Sequence, residues 1–105
     1  MNFRITASTA ILVGLLAANA AAATPVHFTG DRYARLARVS LDHARATALK
    51  VRPDVVTDQE LERERGGSGL RYSFDIKAAD GVYEVGVDAR TGAVLENSKE
   101  GPHPD

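Results

Sequence analysis

The alternating run from Leu70 to Leu95 constrains the fold more than any other stretch of this chain. Tyr72, Phe74 and Ile76 fall on one side of an extended backbone and Arg71, Ser73, Asp75 and Lys77 on the other. That is the period-2 pattern of a sheet with one dry face. Asp80-Gly81 then predicts a reversal, because glycine tolerates the positive φ of a tight hairpin turn. A second alternating run sets Tyr83, Val85 and Val87 against Glu84, Gly86 and Asp88, and leads through Ala89-Arg90-Thr91-Gly92 to a last strand expected over Ala93 to Glu96. In that turn Asp88 is able to accept backbone N–H groups ahead of it, Thr91 to add a weaker hydroxyl contact and Gly92 to take a left-handed conformation. Asp88, Thr91 and Gly92 are therefore expected to be structural turn residues and not ligand contacts.

Upstream, Tyr33, Leu36, Ala37, Leu41, Ala44 and Ala48 recur at three- and four-residue spacing and line one helical face. Ser40 offers an N-cap oxygen and Asp42 favours the positive end of a helix dipole, so the main helix is expected over Leu41 to Lys50 with a looser turn before it. Whether residues 31–50 make one helix or two stays open. Pro53 closes the helix, because the residue before proline is pushed out of the helical region. From Asp54 to Glu64 the pattern is ambiguous. Gln59 to Arg65 has helical propensity with i,i+4 opposite charges, yet Val55 and Val56 favour a strand. As an edge strand it would set Glu60, Glu62 and Glu64 on one solvated face with Leu61 inward, a charged edge that resists intermolecular pairing. Gly66-Gly67-Ser68-Gly69 reads as a flexible turn.

Residues 1–23 read as a secretory signal peptide: Arg4 as the positive n-region, Ile11 to Ala18 as the apolar stretch, and Ala21-Ala22-Ala23 as the cleavage signal. The apolar stretch falls well short of the roughly 20 residues a membrane span needs, so an exported chain with no stable membrane insertion after cleavage is expected. Residues 24–38 then serve as N-terminal linker and helical lead-in, 39–97 as the folded domain, and 98–105 as a disordered tail. Removing Arg4 takes the formal net charge from −1 to −2, too mild to imply nucleic acid as a partner. With Cys 0 in the chain, no disulfide is available to so short a domain. A core of this size needs efficient packing or a partner's help.

Candidate chemistry is sparse. Ser40 and His43 would sit within one helical turn as a nucleophile–base pair, but Ser40 is better used as a cap and no third residue orients His43. His27, His43 and His103, or His103 with Asp105, lack the clustered spacing of metal ligands. Gly66-Gly67-Ser68-Gly69 lacks the lysine and the strand-to-helix context of a phosphate loop. No catalytic, cofactor or metal residue is assigned. Glu60, Glu62 and Glu64, with Asp58 on the same side if extended, form the densest acidic row, and are the candidate partner-binding residues.

Val39-Ser40-Leu41-Asp42-His43-Ala44, the strand-like Val55 to Glu62, Tyr72-Ser73-Phe74-Asp75-Ile76, Asp80-Gly81 and, most specifically, Val87-Asp88-Ala89-Arg90-Thr91-Gly92-Ala93-Val94 resemble the PepSY domain of protease propeptides and small exported proteins. The resemblance covers roughly residues 39–96 and departs at Asp54, where many members place Gly after Pro. It favours the strand reading of Asp54 to Glu64. It implies an α+β fold, an N-terminal helix packed on a three- to four-stranded antiparallel sheet. It also implies a non-enzymatic module, periplasmic or secreted, that binds and regulates or inhibits a peptidase or other envelope protein. The alternative is a small-ligand-binding or envelope-sensing module with no peptidase connection.

Overall fold

The computed structural model describes residues 27–101. The signal-peptide reading of residues 1–23 and the tail residues His103 and Asp105 lie outside them.

Ser40 is extended (φ −73°, ψ 159°) and its Oγ accepts the His43 N–H at 3.1 Å, so it caps helix α1, Leu41–Val51. The helix ends where the Arg52 N–H donates to the Ala48 carbonyl, one residue beyond the expected Lys50 and just ahead of Pro53. Before it comes a separate one, a short 3-10 helix at Asp31–Leu36. The apolar spacing runs through both, but Ala37 is extended and the N–H groups of Arg38 and Val39 turn away to the Ala89 carbonyl, at 2.9 and 3.0 Å. A contact distant in sequence thus splits what periodicity alone leaves joined.

Four strands follow: β1 Val55–Arg63, β2 Leu70–Ala78, β3 Gly81–Asp88 and β4 Val94–Lys99. They pair antiparallel in the order β1-β2-β3-β4. Asp54 to Glu64 is therefore chiefly an edge strand, as the family resemblance favours and helical propensity does not. Its Leu61 is 1% exposed, and burial decides where propensity is weak. The hairpin after β2 turns on Ala79 and Asp80, with Gly81 already paired to Ala78, one residue before the expected Asp80-Gly81. The last strand also runs later than Ala93 to Glu96. It reaches Lys99, and the Glu100 N–H donates to the Val82 carbonyl at 2.8 Å, so pairing continues past residue 97, where the sequence reading ended the domain.

Leu61, Tyr72, Phe74, Ile76, Val85 and Val87 form the dry face, and α1 lays Ala44 and Ala48 on it, both fully buried. Their small side chains let the helix approach closely. Tyr83, expected in the same row, lies half-buried at its end, under the Arg52 guanidinium 3.6 Å from the ring centre. The Tyr72 hydroxyl donates to the Val39 carbonyl at 2.7 Å, tying the core to the segment between the helices.

Residues 27–30, read in the sequence as linker, are fastened to the edge. Thr29 forms a parallel bridge with Glu60, and the Leu61 N–H donates to the Thr29 carbonyl at 2.9 Å. Gly30 (φ 85°) lies against β1 so closely that a Cβ there would overlap the Leu61 carbonyl.

Candidate functional site: the open face of the sheet

Because side chains alternate, the face opposite α1 takes the other residue of every pair. The register lays them in rungs. Asp58 stands opposite Asp75, and Asp75 opposite Glu84. Glu60 stands opposite Ser73, Ser73 opposite Gly86, and Gly86 opposite Glu96. Glu62 stands opposite Arg71, and Arg71 opposite Asp88. A bulge at Thr57, between Val56 and Asp58, brings Asp58 into line with this face.

Glu60 and Glu62 are half-buried on β1, and Glu64 lies just beyond the strand with Oε2 3.5 Å from Arg71 Nη1. The three share one face; β2, β3 and β4 add Asp75, Glu84 and Glu96 to it, and Glu100 follows just beyond β4. Sequence reasoning put Asp75 and Glu84 on the wet side by parity, but singled out only the β1 row. The register that gathers the others is a long-range property.

The crowding has an electrostatic signature. Burial first, then the charges of Glu96, Asp75, Glu100 and Glu62, push the Glu84 carboxyl up to about 6. Burial also raises Glu60, helped by Glu62, Asp58 and Asp75, and raises Asp75, helped by Glu100 and Asp58. Like charges held together favour the neutral acid. Asp75, Glu84 and Glu100 each bring a carboxylate oxygen within 4.8 Å of the others. Asp75 and Glu84 are half-buried and Glu100 is exposed, so burial together with mutual repulsion accounts for the shifts.

Arg71 is the buried cation within this face. It is 7% exposed, with Nη1 3.3 Å from Glu96 and 3.5 Å from Glu64, and Nη2 donating to the Arg65 carbonyl at 3.2 Å. Gly86 makes room for it: a Cβ there would come within 3.0 Å of Arg71 Cδ. Its charge is thus matched internally. Ser73, expected to face water, is only 7% exposed, because it lies beneath this layer and donates to Glu62 Oε2 at 2.8 Å.

Asp88 is the buried exception. Its Oδ1 accepts the N–H groups of Arg90 and Thr91 at 2.8 and 3.0 Å and the Ser68 hydroxyl at 2.8 Å, while Oδ2 accepts the Ser68 N–H at 2.6 Å. Burial raises its pKa, but the donors at Ser68, Arg90 and Thr91 outweigh it and hold the carboxyl well below the usual range. Thr91 Oγ1 accepts the Ala93 N–H at 3.2 Å, and Gly92 is left-handed at φ 83°.

Among the described residues, the two histidines do not converge. His43 is exposed and meets Ser40 through its backbone N–H, and His27 Nδ1 lies 3.2 Å from Asp31. The Ser40 hydroxyl oxygen therefore serves as a cap acceptor, and among the described residues it makes no hydrogen bond to an imidazole.

A four-stranded antiparallel sheet, one helix across it and a Val-Asp-Ala-Arg-Thr-Gly turn tied by Asp88 coincide with a match to the PepSY family, described as peptidase propeptide and YPEB domain, over residues 38–97. The chain belongs to the PepSY family. Neither a curated protein nor a solved structure gives a significant match. The PepSY match begins at Arg38, where the chain leaves the 3-10 helix, and ends at Asn97 within β4. The Pro53-Asp54 departure from the family pattern is absorbed locally, the Asp54 N–H donating to the Arg52 carbonyl at 2.8 Å. Among the described residues no helix is long and apolar enough to cross a membrane.

Proposed function

We propose that this PepSY domain is a non-enzymatic, exported module that binds and restrains or regulates another envelope protein, a secreted or periplasmic peptidase being the expected class. Its acidic sheet face is the contact surface, with Glu60, Glu62 and Glu64 at the accessible edge. The supporting observation is that the carboxylates of four strands share one face whose buried cation, Arg71, is already matched by Glu64 and Glu96. A basic protein surface would relieve the repulsion that adds to burial in raising Glu84, and its approach would be electrostatically steered.

Association kinetics with the peptidase recovered by affinity capture test this reading. The Glu60→Lys, Glu62→Lys, Glu64→Lys triple variant is expected to associate more slowly and with weaker salt dependence while keeping its circular dichroism. Unchanged kinetics would reject the acidic face. The second reading, a small-ligand or envelope-sensing module, has one observation in its favour: an opening of about 390 Å³ lined by apolar Phe28, Ala37, Val39, Leu41 and Tyr72 among others. An apolar molecule co-purifying there would favour it.

A further inference from the structure

On the helix side of the same sheet, where β1 gives way to β2, a pocket of about 210 Å³ is lined by Leu36, Arg63, Ser68, Gly69, Leu70 and Arg90. Arg63 opposes Leu70 in the register, so it faces the helix side with Leu61 and away from Glu62 and Glu64. Its guanidinium lies 5.6 Å from the centre of the Tyr33 ring. Arg90 Nη1 donates to the Leu36 carbonyl at 2.8 Å, which leaves the other N–H groups of its fork free to turn toward the pocket. Both guanidiniums are thus oriented by uncharged groups, and among the described residues neither makes an ion pair. The pocket lining contains no carboxylate. Asp88, which holds Ser68 in place, is fully buried and its charge is met by the donors at Ser68, Arg90 and Thr91.

We propose that this pocket binds a phosphate group. Two arginines lining the pocket from separate elements suit a tetrahedral oxyanion, whose oxygens point in several directions. A carboxylate offers two coplanar oxygens that a single fork satisfies. The volume is smaller than the roughly 300–1,000 Å³ of sites for drug-sized ligands, so the pocket takes the phosphate group itself, free or displayed on a lipid head group. Leu36 and the buried Leu70 keep one wall apolar, which strengthens the attraction by lowering the local dielectric. The site is independent of the acidic face, being on the other side of the sheet and of the opposite sign.

Amide NMR of the intact protein titrated with inorganic phosphate tests it. Saturable shifts are expected at Ser68, Gly69 and Leu70, with acetate at equal ionic strength leaving those amides in place. Arg63→Gln, at an exposed position outside the core, is expected to weaken phosphate binding tenfold or more. Lys50→Gln, the same loss of charge in the last turn of α1, is expected to change it less than twofold. Phosphatidylglycerol vesicles that broaden the same amides, where phosphatidylcholine vesicles do not, would identify a lipid head group as the source; a response to inorganic phosphate alone would identify the free ion. Shifts that fail to saturate, that spread equally to Lys50 and Arg52, or that survive Arg63→Gln overturn the proposal.

Discussion

Asp88 and Ser68 are held together by two hydrogen bonds, the Ser68 N–H to Oδ2 at 2.6 Å and the Ser68 hydroxyl to Oδ1 at 2.8 Å. One carboxylate therefore organises two loops, the β1–β2 turn through Ser68 and the β3–β4 turn through Arg90 and Thr91. The glycine next to Ser68 belongs to the arrangement, because a Cβ on Gly67 would collide with Asp88 Oδ2.

Asp88→Ala is expected to cost about 3 kcal/mol, since it leaves four part-buried donors without a charged acceptor. Ser68→Ala, which keeps the backbone donor, should cost about 1 kcal/mol. The two changes should couple in a double-mutant cycle by urea unfolding, and strict additivity would show that Asp88 does not join the loops. Because the folded-state pKa of Asp88 lies below its ordinary value, its contribution is present above about pH 4 and is lost as pH falls below that.

Phe74 is fully buried at the centre of the dry face, and Phe74→Ala should cost about 3–5 kcal/mol. Ser73→Ala removes one hydrogen bond to Glu62 on the opposite face and should cost about 1 kcal/mol. Similar urea midpoints for the two variants would contradict the assignment of the faces.

Gly30→Ala should detach the N-terminal segment from β1, because the left-handed backbone and the close Leu61 carbonyl both oppose a side chain. Hydrogen exchange at the Leu61 amide is expected to accelerate while that at Phe74 stays slow. Unchanged protection at Leu61 would show that the contact with Thr29 does not depend on Gly30.

Glu84 has the opposite linkage to Asp88. Its folded-state pKa of about 6 lies above the ordinary 4.5, so its contribution favours folding below about pH 4.5 and is lost as pH rises through 6. Glu84→Gln, which stays neutral, should raise the urea midpoint at pH 7 and leave it nearly unchanged at pH 4.5. An equal gain at both values would mean that ionisation of Glu84 in its buried, acidic surroundings is not the cause. Binding of a basic partner by the native protein should weaken below about pH 6 for the same reason.

Parity along β2 and β3 was readable because alternation is local: Tyr72, Phe74, Val85 and Val87 are buried where the period-2 pattern put them. Ser40 as a cap and Asp88 as the acceptor of the Arg90 and Thr91 N–H groups were equally legible, each being a contact between residues two or three apart. The end of β4 was missed because Asn97, Ser98 and Lys99 have little strand propensity of their own. Pairing with Tyr83, Glu84 and Val85 makes them strand.

The sequence by itself determined the α+β class, the dry face, the cap of α1 and the last turn, since a side chain's parity and short-range hydrogen bonds depend only on neighbours along the chain. Tertiary structure alone decided that Asp75, Glu84 and Glu100 crowd one another, that Arg71 settles over Gly86, that Asp88 reaches Ser68, and that Arg63 and Arg90 flank one pocket. Those relationships require the register between strands, which is set by how the whole hydrophobic face closes against α1 and not by any one segment.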